Sequence, residues 1–433
     1  MSNLLSGFKR KIRINELRIA IVGLGYVGFP LAIEFAKKGI PVMGIEIDKD
    51  RLRHIQCKES YISDVSSKEL KSILKKGCFS ATSDFSVIKD CDAVLVCVPT
   101  PLKRKNLPDI SYIKSAVQSV VSYIKKGALV ILESTTYPGT TDEELLPIFE
   151  KAGLEHGKDF FLCFSPERID PGNVKFPVNK IPKVIGGINR EATLRGAEIY
   201  KIIIDKVVPV SSARAAETVK LLENTFRLIN IGLIDELAMM AHKMKIDIWE
   251  VVSAASTKPF GFMPFYPGPG VGGHCIPKDP LYLHWKAKSF GFYSRFIRLA
   301  SDVISYMPEY VALRIQEAIK KSLKGKRILV VGVTYKRDIK DLRQSPSIDL
   351  ISSLKKRGAK ISYYDPLIPY LKVKDVDLKS SAISGQNLAK FDCVVIATDH
   401  STLDYNFILR NSKLIFDARN VYRGRNIGKV VRL

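Results

Sequence analysis

A glycine-rich turn between a strand and a helix constrains this chain more than any other feature. The turn is Gly23–Gly28 (GLGYVG), and it follows the compact apolar run Leu17–Val22. A predicted helix follows the turn, and Pro41–Glu46 predicts the next strand. Glu46, at the end of that strand, stands eighteen residues after Gly28. A G-x-G-x-x-G turn in this setting is typical of a dinucleotide-binding βαβ unit.

The chemistry of the turn predicts NAD as its ligand. Gly23 permits the tight turn, Gly25 lets the backbone approach a pyrophosphate, and Gly28 lets the helix pack on the strand. The helix N-terminus offers N–H groups to phosphates, and Glu46 would accept hydrogen bonds from ribose hydroxyls and repel a 2′-phosphate. The predicted cofactor site at this turn comprises Gly23, Gly25, Tyr26, Val27, Gly28, Glu46, Asp48 and Arg51. The alternative is a glycine-rich turn with an ordinary acid at the strand end.

Strand-like and helical segments alternate in both halves of the chain, which predicts parallel sheets with helical crossovers. Further strand-like runs in the first half are Ala93–Val98, Leu129–Leu132 and Phe160–Phe164. The alternation restarts near Lys326, with strands predicted at Arg327–Val331, Lys360–Tyr364, Cys393–Ala397 and Leu414–Phe416 and a helix at Ser347–Lys356. Between the two halves, Ser212 to about Lys245 predicts one long helix, with more helix to about Ser256.

The predicted fold class is therefore α/β, with two Rossmann-like doubly wound parallel-sheet domains joined by a long central helix. We expect an NAD-binding domain at 1–211, a central helical domain at 212–310 and a second Rossmann-like domain at 311–433.

Composition leaves the class of ligand open. The 433 residues are 46% apolar and 26% charged, which excludes a disordered, collagen-like or coiled-coil chain. The net charge of +24 is compatible with nucleic acid, a membrane surface, anionic small molecules or a solvated lysine-rich surface. The seven cysteines are scattered and include no C-x-x-C pair, so we expect no disulfide framework, no metal site and a cytoplasmic location. We read no signal peptide and no membrane helix.

The long helix carries three polar side chains on one face. Lys220, Asn224 and Arg227 are spaced i, i+4, i+7, and a Lys with an Asn in a cleft could stabilise an alkoxide or oxyanion. The alternative is a solvated face on which Glu223 and Arg227 form an i, i+4 ion pair.

A cysteine follows in a loop that is dense in proline, glycine and aromatic residues, Pro259–Pro280. Cys275 comes after Gly272 and Gly273 and precedes Asp279 by four positions. A thiol is a good covalent trap for an aldehyde, and a nearby lysine can help to supply the thiolate. His274 could suggest a metal, but the sequence offers no second ligand at a plausible spacing.

The second α/β domain has only one glycine at the turn equivalent to Gly23–Gly28. The segment is Gly332–Lys336 (GVTYK), so a pyrophosphate cradle of the first type is not expected there. Lys336 or Arg343 could hold a nucleotide diphosphate, and either could equally be a surface charge.

Six short motifs occur in one order along the chain. They are Gly23–Gly28, Val98-Pro99-Thr100-Pro101, Glu133-Ser134-Thr135, Ser165-Pro166-Glu167-Arg168, Lys220-x-x-x-Asn224 and Gly272-Gly273-His274-Cys275-x-x-x-Asp279. Together they resemble the UDP-glucose/GDP-mannose dehydrogenase family over essentially the whole chain. The runs that begin at Val219 and Lys258 resemble the branch that acts on UDP-N-acetylglucosamine.

The resemblance implies a four-electron oxidation of a UDP-sugar C6 hydroxyl to a carboxylate with two NAD⁺. It implies Cys275 as the nucleophile of a thiohemiacetal and a thioester, Lys220 and Asn224 as oxyanion donors, and Asp279 as an aid to water or proton transfer. Glu167 and Thr135 would position water and substrate, and Thr100 and Thr135 would also contact the cofactor. The implied substrate contacts are Glu167, Arg168, Lys220, Asn224, Arg227, Phe265, Tyr266, Gly272, Lys336 and Arg343.

Two departures from the family pattern bear on the substrate. Pro171, with Asp170 beside it, stands where the glucose-oxidising branch often has an acid, and Lys278 is atypical of the acetamido branch. UDP-N-acetylglucosamine is the first expectation, with UDP-N-acetylmannosamine or UDP-glucose as alternatives. A homodimer or higher homo-oligomer is expected.

Two other classes of protein share some of these sequence features. Two-domain hydroxyacid dehydrogenases combine a dinucleotide domain with a helical Lys-x-x-x-Asn, but they lack a counterpart of Cys275 and of the second α/β domain. A nucleic-acid-binding scaffold would suit the charge, but the basic clusters lack interleaved aromatic residues and match no nucleic-acid motif.

Overall fold

The computed structural model describes residues 3–14, 16–62, 64–101, 108–168, 178–273, 275–373, 375–424 and 427–433. The chain divides into two compact units, Met1–Glu223 with Trp285–Phe290 and Asn224–His284 with Gly291–Leu433. Asp170, Pro171 and His274, which the sequence analysis weighed, lie outside the described residues.

One twisted sheet organises the first unit. Its strands are β1 (Ile19–Val22), β2 (Val42–Ile45), β3 (Phe79–Thr82), β4 (Ala93–Val96), β5 (Ala128–Leu132), β6 (Phe160–Phe164), β7 (Lys183–Gly187) and β8 (Val207–Pro209). Within the described residues of this unit they form one eight-stranded sheet in the order β3-β2-β1-β4-β5-β6-β7-β8. Neighbouring strands are parallel except β6 and β7.

Both faces of this sheet are covered. Ile19 and Ile21 of β1 belong to one hydrophobic cluster, and Ala20 and Val22 belong to another. Successive strand side chains point to opposite faces, so these strands are buried on both sides and read as continuous apolar runs. The helices of the first unit are α1 (Asn3–Arg13), α2 (Gly28–Lys37), α3 (Lys49–Gln56), α4 (Ser67–Lys75), α5 (Ser111–Val121), α6 (Leu146–Lys151) and α7 (Arg190–Tyr200), with shorter turns at Phe85–Asp90, Thr140–Leu145 and Val178–Lys180.

The central helix forms as the sequence predicts, but it ends sooner. Helix α8 (Ala213–Lys243) has 31 residues. Lys245 then adopts a φ of +60°, and Asp247 caps the next helix by accepting a hydrogen bond from the Trp249 backbone N–H. The predicted continuation to about Ser256 is therefore a separate helix, α9 (Ile248–Ala255).

Two helices that the sequence analysis did not identify follow the cysteine loop. They are α10 (Asp279–Lys288) and α11 (Arg295–Ile319), and α11 has 25 residues despite Pro308 in its interior. Helices α8 and α11 pack closely where Gly232 meets Ala300, since a Cβ on Gly232 would lie 2.9 Å from the Ala300 Cα.

The second unit contains a smaller parallel sheet. Its remaining elements are β9 (Arg327–Val331), α12 (Pro346–Lys356), β10 (Lys360–Tyr364), β11 (Tyr370–Val373), β12 (Val376–Lys379), α13 (Gly385–Leu388), β13 (Cys393–Ile396), α14 (Tyr405–Asn411), β14 (Ile415–Asp417) and β15 (Val430–Arg432). In the described part of this unit, the five strands of the main sheet have the order β10-β9-β13-β14-β15, and β11 and β12 form an antiparallel pair. The two parallel sheets and the long helix confirm the predicted fold class.

None of the helices in the described ranges combines the length and apolar character that a membrane crossing requires.

Candidate active site

The Gly23–Gly28 turn is closed at its ends and open in the middle. A Cβ on Gly23, whose φ is +90°, would lie 2.8 Å from the Cys97 carbonyl oxygen, and a Cβ on Gly28 would lie 2.0 Å from the Gly23 oxygen. Among the described atoms, the nearest neighbour of a Cβ on Gly25 is Arg51 Nη1, at 3.8 Å. The backbone at Gly25 is therefore accessible to a pyrophosphate, and the turn fits the phosphates of NAD.

Glu46 lies buried beside this turn with both carboxylate oxygens engaged. One oxygen accepts from the Leu24 N–H at 3.0 Å and from Arg51 Nη1 at 3.1 Å. The other accepts from the backbone N–H groups of Ile47 and Asp48, at 2.9 and 3.0 Å. Three of these four donors are backbone N–H groups, and the fourth is the Arg51 side chain. A ribose hydroxyl could therefore replace Arg51 as a donor to Glu46 without any change in the backbone.

The remaining predicted cofactor residues lie at the same edge of the sheet. Thr100 follows β4 and is buried, and Thr135 follows β5 and is half-buried. Because the carboxyl ends of parallel strands meet at one edge, both threonines lie on the edge that carries the glycine turn. Tyr26 is exposed within the turn, and Val27 is half-buried.

Glu167 and Arg168 follow β6 at this edge. Glu167 Oε1 accepts from the Arg168 backbone N–H at 2.6 Å, and Glu167 Oε2 lies 3.4 Å from Lys183 Nζ. Lys183 is buried and also contacts Glu133 Oε2 at 2.6 Å. The Tyr200 hydroxyl donates to the other oxygen of Glu133. Burial would lower the pKa of Lys183, but the Glu133 and Glu167 carboxylates outweigh burial and raise it.

Arg168 also reaches the start of the central helix. Its Nη2 lies 2.6 Å from Glu223 Oε1, and its Nη1 donates to the Pro182 carbonyl oxygen at 2.7 Å. The alternative of a solvated helix face predicted that Glu223 pairs with Arg227. In the structure Glu223 pairs with Arg168 instead. Arg227 is exposed and Lys220 is half-buried.

Asn224, one helical turn after Lys220, lies in a buried contact of the second unit. Its Nδ2 donates to Asp279 Oδ2 at 2.6 Å, and both residues are buried. The Cys275 carbonyl oxygen accepts from the backbone N–H groups of Lys278 and Asp279, at 3.0 and 2.8 Å. The structure therefore brings together Asn224, Asp279 and the turn that carries the exposed Cys275. Burial, with a further contribution from Arg343, lowers the pKa of Lys278 in this turn.

The glycines before the cysteine pack against the segment that carries Arg343. The Gly273 N–H donates to the Arg343 carbonyl oxygen at 2.9 Å. A Cβ on Gly272 would lie 2.6 Å from the Gln344 oxygen and 2.7 Å from the Tyr335 Cβ. Only glycine fits this approach, so the packing explains the glycines of the motif in steric terms.

The other predicted substrate residues of the second unit lie around this loop. Lys336 is half-buried, and the exposed Arg343 guanidinium contacts both oxygens of Asp341, the shorter distance being 2.6 Å. The Phe265 ring lies edge-on to Phe226, with centroids 5.9 Å apart. The Tyr266 ring stacks on Trp249, with centroids 6.0 Å apart.

Two buried carboxylates that the sequence analysis did not single out anchor loops of the site. Glu217 accepts from the N–H groups of Gly139 and Thr141, at 2.6 and 2.9 Å, and burial raises its pKa to about 7. Asp235 accepts from the Gly268 N–H at 3.1 Å, and burial raises its pKa to about 8. The first holds the loop after Thr135, and the second holds the loop that leads to the cysteine.

Lys183 and Tyr200 were also missed. Lys183 begins β7, a strand that the sequence did not predict, so no motif marked it. A lysine fifteen residues after the Ser165–Arg168 motif has no distinctive spacing, and only the folded structure shows that it meets Glu133. Within the described ranges, no group of three or more His, Cys, Asp and Glu side chains is arranged to hold a metal ion.

Comparison with known families accounts for both units. Residues 17–204 match the NAD binding domain of the UDP-glucose/GDP-mannose dehydrogenase family, 214–304 its central domain and 329–424 its UDP binding domain. The chain belongs to this family. It is accordingly an NAD-dependent UDP-sugar dehydrogenase, and the prediction of an oxidoreductase with NAD as its cofactor is confirmed.

Individual relatives carry different substrate names. UDP-N-acetyl-D-glucosamine 6-dehydrogenase from Pseudomonas aeruginosa is 36% identical over 395 residues, which cover 90% of this chain and 92% of the relative. UDP-N-acetyl-D-mannosamine dehydrogenase from Pyrococcus horikoshii is 33% identical over 426 residues, covering 96% and 98%. Among solved structures, the UDP-D-ManNAc dehydrogenase from Pyrococcus horikoshii superposes with a TM-score of 0.86 at 31% identity, covering 96% of this chain and 99% of the other.

Proposed function

We propose that this dehydrogenase oxidises the C6 hydroxyl of UDP-N-acetylglucosamine to the carboxylate in two successive steps, with Cys275 as the covalent nucleophile. The observation that carries the proposal is the buried contact of Asn224 with Asp279, 2.6 Å long, beside the cysteine turn. In this proposal residues 1–211 bind NAD, 212–310 supply the cysteine loop, and 311–433 bind the UDP group.

The reaction balances as two oxidations and one hydrolysis. In the first, C6 loses a hydride and its hydroxyl loses a proton, which leaves an aldehyde. The Cys275 sulfur then bonds to C6 and the aldehyde oxygen takes up a proton, which forms the thiohemiacetal. Loss of a second hydride from C6 and of the hydroxyl proton turns the thiohemiacetal into a thioester. Water attacks the thioester carbon, the C–S bond breaks, and the carboxylate and the thiol are released. NAD, when bound, accepts the hydride of each oxidation.

Asn224 and Lys220 act on the oxygen of C6. An amide nitrogen carries two N–H groups, and the contact with Asp279 uses one of them and fixes the orientation of the amide. We propose that the other N–H and the Lys220 ammonium donate to the C6 oxygen when negative charge develops on it. The same pair of donors serves both oxidations, because the charge develops on the same oxygen each time.

Water and thiol chemistry fall to other residues. Glu167 and Thr135 position the water and the substrate, and Asp279 assists proton transfer or orients water. Lys278, three residues after Cys275, favours the thiolate through its charge. Since a catalytic thiol must stay reduced, we propose the cytoplasm as the location of the enzyme.

The cofactor and the nucleotide sugar have separate sets of contacts in this proposal. Gly23, Gly25, Tyr26, Val27 and Gly28 hold the pyrophosphate of NAD, Glu46, Asp48 and Arg51 hold the adenosine half, and Thr100 and Thr135 lie toward the nicotinamide. The UDP-sugar contacts are Glu167, Arg168, Lys220, Asn224, Arg227, Phe265, Tyr266, Gly272, Lys336 and Arg343. The names of the relatives support a UDP-N-acetylhexosamine, and UDP-N-acetylmannosamine and UDP-glucose are the alternatives.

The test is to supply NAD⁺ with each of the three UDP-sugars and to measure the NADH formed per sugar consumed. Two NADH and the uronic acid are expected, with the highest kcat/KM for UDP-N-acetylglucosamine. The variant Cys275→Ser should form no acid, whereas Cys57→Ser, at another exposed cysteine, should retain full activity. One NADH with free aldehyde would contradict the covalent route, and a preference for another sugar would correct the substrate.

We also propose that two copies of the chain associate through the central helices. Helix α8 exposes Leu222, Leu233 and Met240, and α11 exposes Phe296 and Leu299. Apolar side chains clustered on long helices in this way are typical of a protein interface. Sedimentation equilibrium should give twice the mass of the chain, and a monomer at micromolar concentration would contradict the proposal.

A further inference from the structure

A buried cation lies between two carboxylates at the edge of the first sheet. The Lys183 cluster consists of Lys183, Glu133, Tyr200 and Glu167. Lys183 is 5% exposed, Glu133 is 1% exposed and Tyr200 is fully buried. Lys183 Nζ lies 2.6 Å from Glu133 and 3.4 Å from Glu167.

The Glu133 side of the cluster holds Lys183 in one place. Glu133 directly follows β5 and uses one oxygen for Lys183 and the other for the Tyr200 hydroxyl. Lys183 Nζ also lies 5.1 Å from the centre of the Tyr200 ring, within the range of a cation–π contact. A buried charge needs a partner, and Glu133 supplies one, so the fold does not require a second carboxylate on this lysine.

Glu167 is the second carboxylate, and its surroundings differ. Its side chain retains 13% exposure, compared with none for Glu133. One of its oxygens accepts from the Arg168 backbone N–H and the other faces Lys183. A glutamate at the rim of a site has three rotatable side-chain bonds, and two fixed donors restrict it to one orientation.

We propose that Lys183 is a positioning residue that holds the Glu167 carboxylate in the orientation needed to deliver water to the thioester. Glu133 and the ring of Tyr200 hold the lysine in place, and the lysine orients Glu167. This inference rests on the proposed function, in which Glu167 positions the water of the hydrolysis step. Lys183 itself touches neither the sugar nor the cofactor in this scheme.

The expected consequence of removing the lysine is specific to one step. In Lys183→Met, Glu167 keeps its charge and loses the ammonium group that faces one of its carboxylate oxygens. Misplacement of a reacting group by about 1 Å can cost about 100-fold in rate. We expect hydrolysis to slow by about 10- to 100-fold while both hydride transfers continue, so the enzyme should accumulate as the thioester. The KM for the UDP-sugar should change little.

The readout is the covalent state of Cys275. Enzyme mixed with NAD⁺ and UDP-N-acetylglucosamine is quenched in acid, and the mass of the protein is measured. Wild-type enzyme should carry almost no adduct, whereas Lys183→Met should carry the uronyl adduct and release about two NADH per site in a rapid burst, one for each oxidation. Lys183→Arg should restore turnover, because it retains the cation.

Tyr200→Phe is the matched control. It removes the other donor to Glu133 and leaves the contact between Lys183 and Glu167 in place, so it should show no adduct. Since Lys183→Met leaves Glu133 as a buried unpaired charge and could prevent folding, the double variant Glu133→Gln with Lys183→Met removes both charges. It should fold and still accumulate the adduct.

The variant Glu167→Gln distinguishes a failure of the role proposed for Lys183 from a failure of the role proposed for Glu167. If Glu167→Gln accumulates the thioester and the folded lysine variants do not, the role of Lys183 is wrong and the proposed function stands. If Glu167→Gln forms no adduct either, the proposed role of Glu167 fails first. An adduct in Tyr200→Phe equal to that in Lys183→Met would show a general effect of disturbing the cluster and would also overturn the positioning role.

Discussion

The turn after β1 and the turn after β9 have equivalent places in two sheets of the same design. In each, a glycine N–H donates at 2.8 Å to a carbonyl oxygen at the end of the neighbouring strand, from Gly23 to Ile45 and from Gly332 to Tyr364. In each, an acid after that neighbouring strand accepts hydrogen bonds from the turn. The acid is Glu46 in the first sheet and Asp365 in the second.

The two turns differ at the residue two positions after the glycine. In the first sheet that residue is Gly25, which leaves the backbone open. In the second it is Thr334, which is fully buried and whose Oγ1 lies 3.2 Å from His400 Nε2. His400 is also fully buried and contacts Asp365 at 3.1 Å, so protein side chains fill the second turn.

This difference shows that the fold alone does not create a dinucleotide site. Both turns have the strand and the acid, but only the first opens directly into a helix, since α2 begins at Gly28 and α12 begins only at Pro346. Only the first leaves room for phosphates against its backbone. The UDP binding domain of this family must therefore hold its nucleotide by other groups, which is why Lys336 and Arg343 remain our proposed contacts.

The largest expected effect comes from filling the open turn. Gly25→Val should weaken NAD binding by about 1,000-fold, roughly 4 kcal/mol, because the side chain would occupy the approach of the pyrophosphate. The folded structure should persist, since a Cβ there meets only Arg51, at 3.8 Å, among the described atoms. Isothermal titration with NAD and with UDP measures both ligands, and unchanged UDP affinity is the control. Retained NAD affinity would show that the two turns do not differ in function.

A substitution in the second turn should change the stability of the fold and not the binding of a ligand. A Cβ on Gly332, whose φ is +83°, would lie 2.2 Å from the Thr398 carbonyl oxygen, so Gly332→Ala should lower the free energy of unfolding by about 3 kcal/mol. Gly325→Ala is the matched control, because φ is +76° there and a Cβ has no described atom within 4 Å, and it should cost about 1 kcal/mol. Hydrogen exchange of β9 and β13 measures both. Equal losses of unfolding free energy in the two variants would mean that the positive φ alone requires glycine at position 332, and not the close approach of the Thr398 carbonyl oxygen.

Sequence patterns revealed the strands that are buried on both faces. β6 and β9 have the predicted limits, because continuous apolar runs mark a central strand. β10 also has the predicted limits, although it lies at the edge of its sheet and is only partly buried. β3 and β7 were missed because Phe79–Thr82 and Lys183–Gly187 are short and contain polar residues or glycines. Helix α11 was missed because Pro308 interrupts its pattern, and the end of α8 was placed too late because no proline or glycine marks it.

The candidate site shows a similar division. Motif order singled out Asn224 and Asp279 as candidate site residues, but it did not show that these two contact each other. Glu223 pairs with Arg168, 55 residues away, and not with Arg227 on its own helix. The spacing of residues along the sequence predicts which side chains are neighbours on one helix or strand. It does not predict contacts between distant segments, because those depend on how the elements pack in three dimensions.

Arg51 sharpens the comparison because it lies at the open face of the first turn. Its guanidinium lies beside the open face of Gly25 and contacts Glu46 at 3.1 Å. Arg51→Met should weaken NAD binding by about tenfold, roughly 1.4 kcal/mol, through loss of a cation near the phosphates. Arg53→Met, on the same helix and paired with Asp50 at 3.1 Å, should change NAD affinity little. Equal effects of the two substitutions would indicate only a general loss of positive charge.

The smallest expected effect tests the acid of the filled turn. Burial would raise the pKa of Asp365, but His400 and the backbone N–H groups of Val333 and Leu367 outweigh burial and hold it below 3.8. A carboxyl whose pKa is lower in the folded than in the unfolded state stabilises the fold above its unfolded pKa, and this contribution disappears as the pH falls through the folded pKa. Asp365→Asn should therefore cost about 1 kcal/mol near neutral pH, and the difference from wild type should shrink below about pH 4.

Hydrogen exchange of β9 and β10 across this pH range measures the difference. The mutation should leave NAD affinity unchanged, because Asp365 lies beside the filled turn and its oxygens bind the protein itself. A constant difference across the range would mean that the ionised carboxylate is not what stabilises the turn. A loss of NAD affinity would contradict the distinction between an open turn that binds the cofactor and a filled turn that stabilises its own sheet.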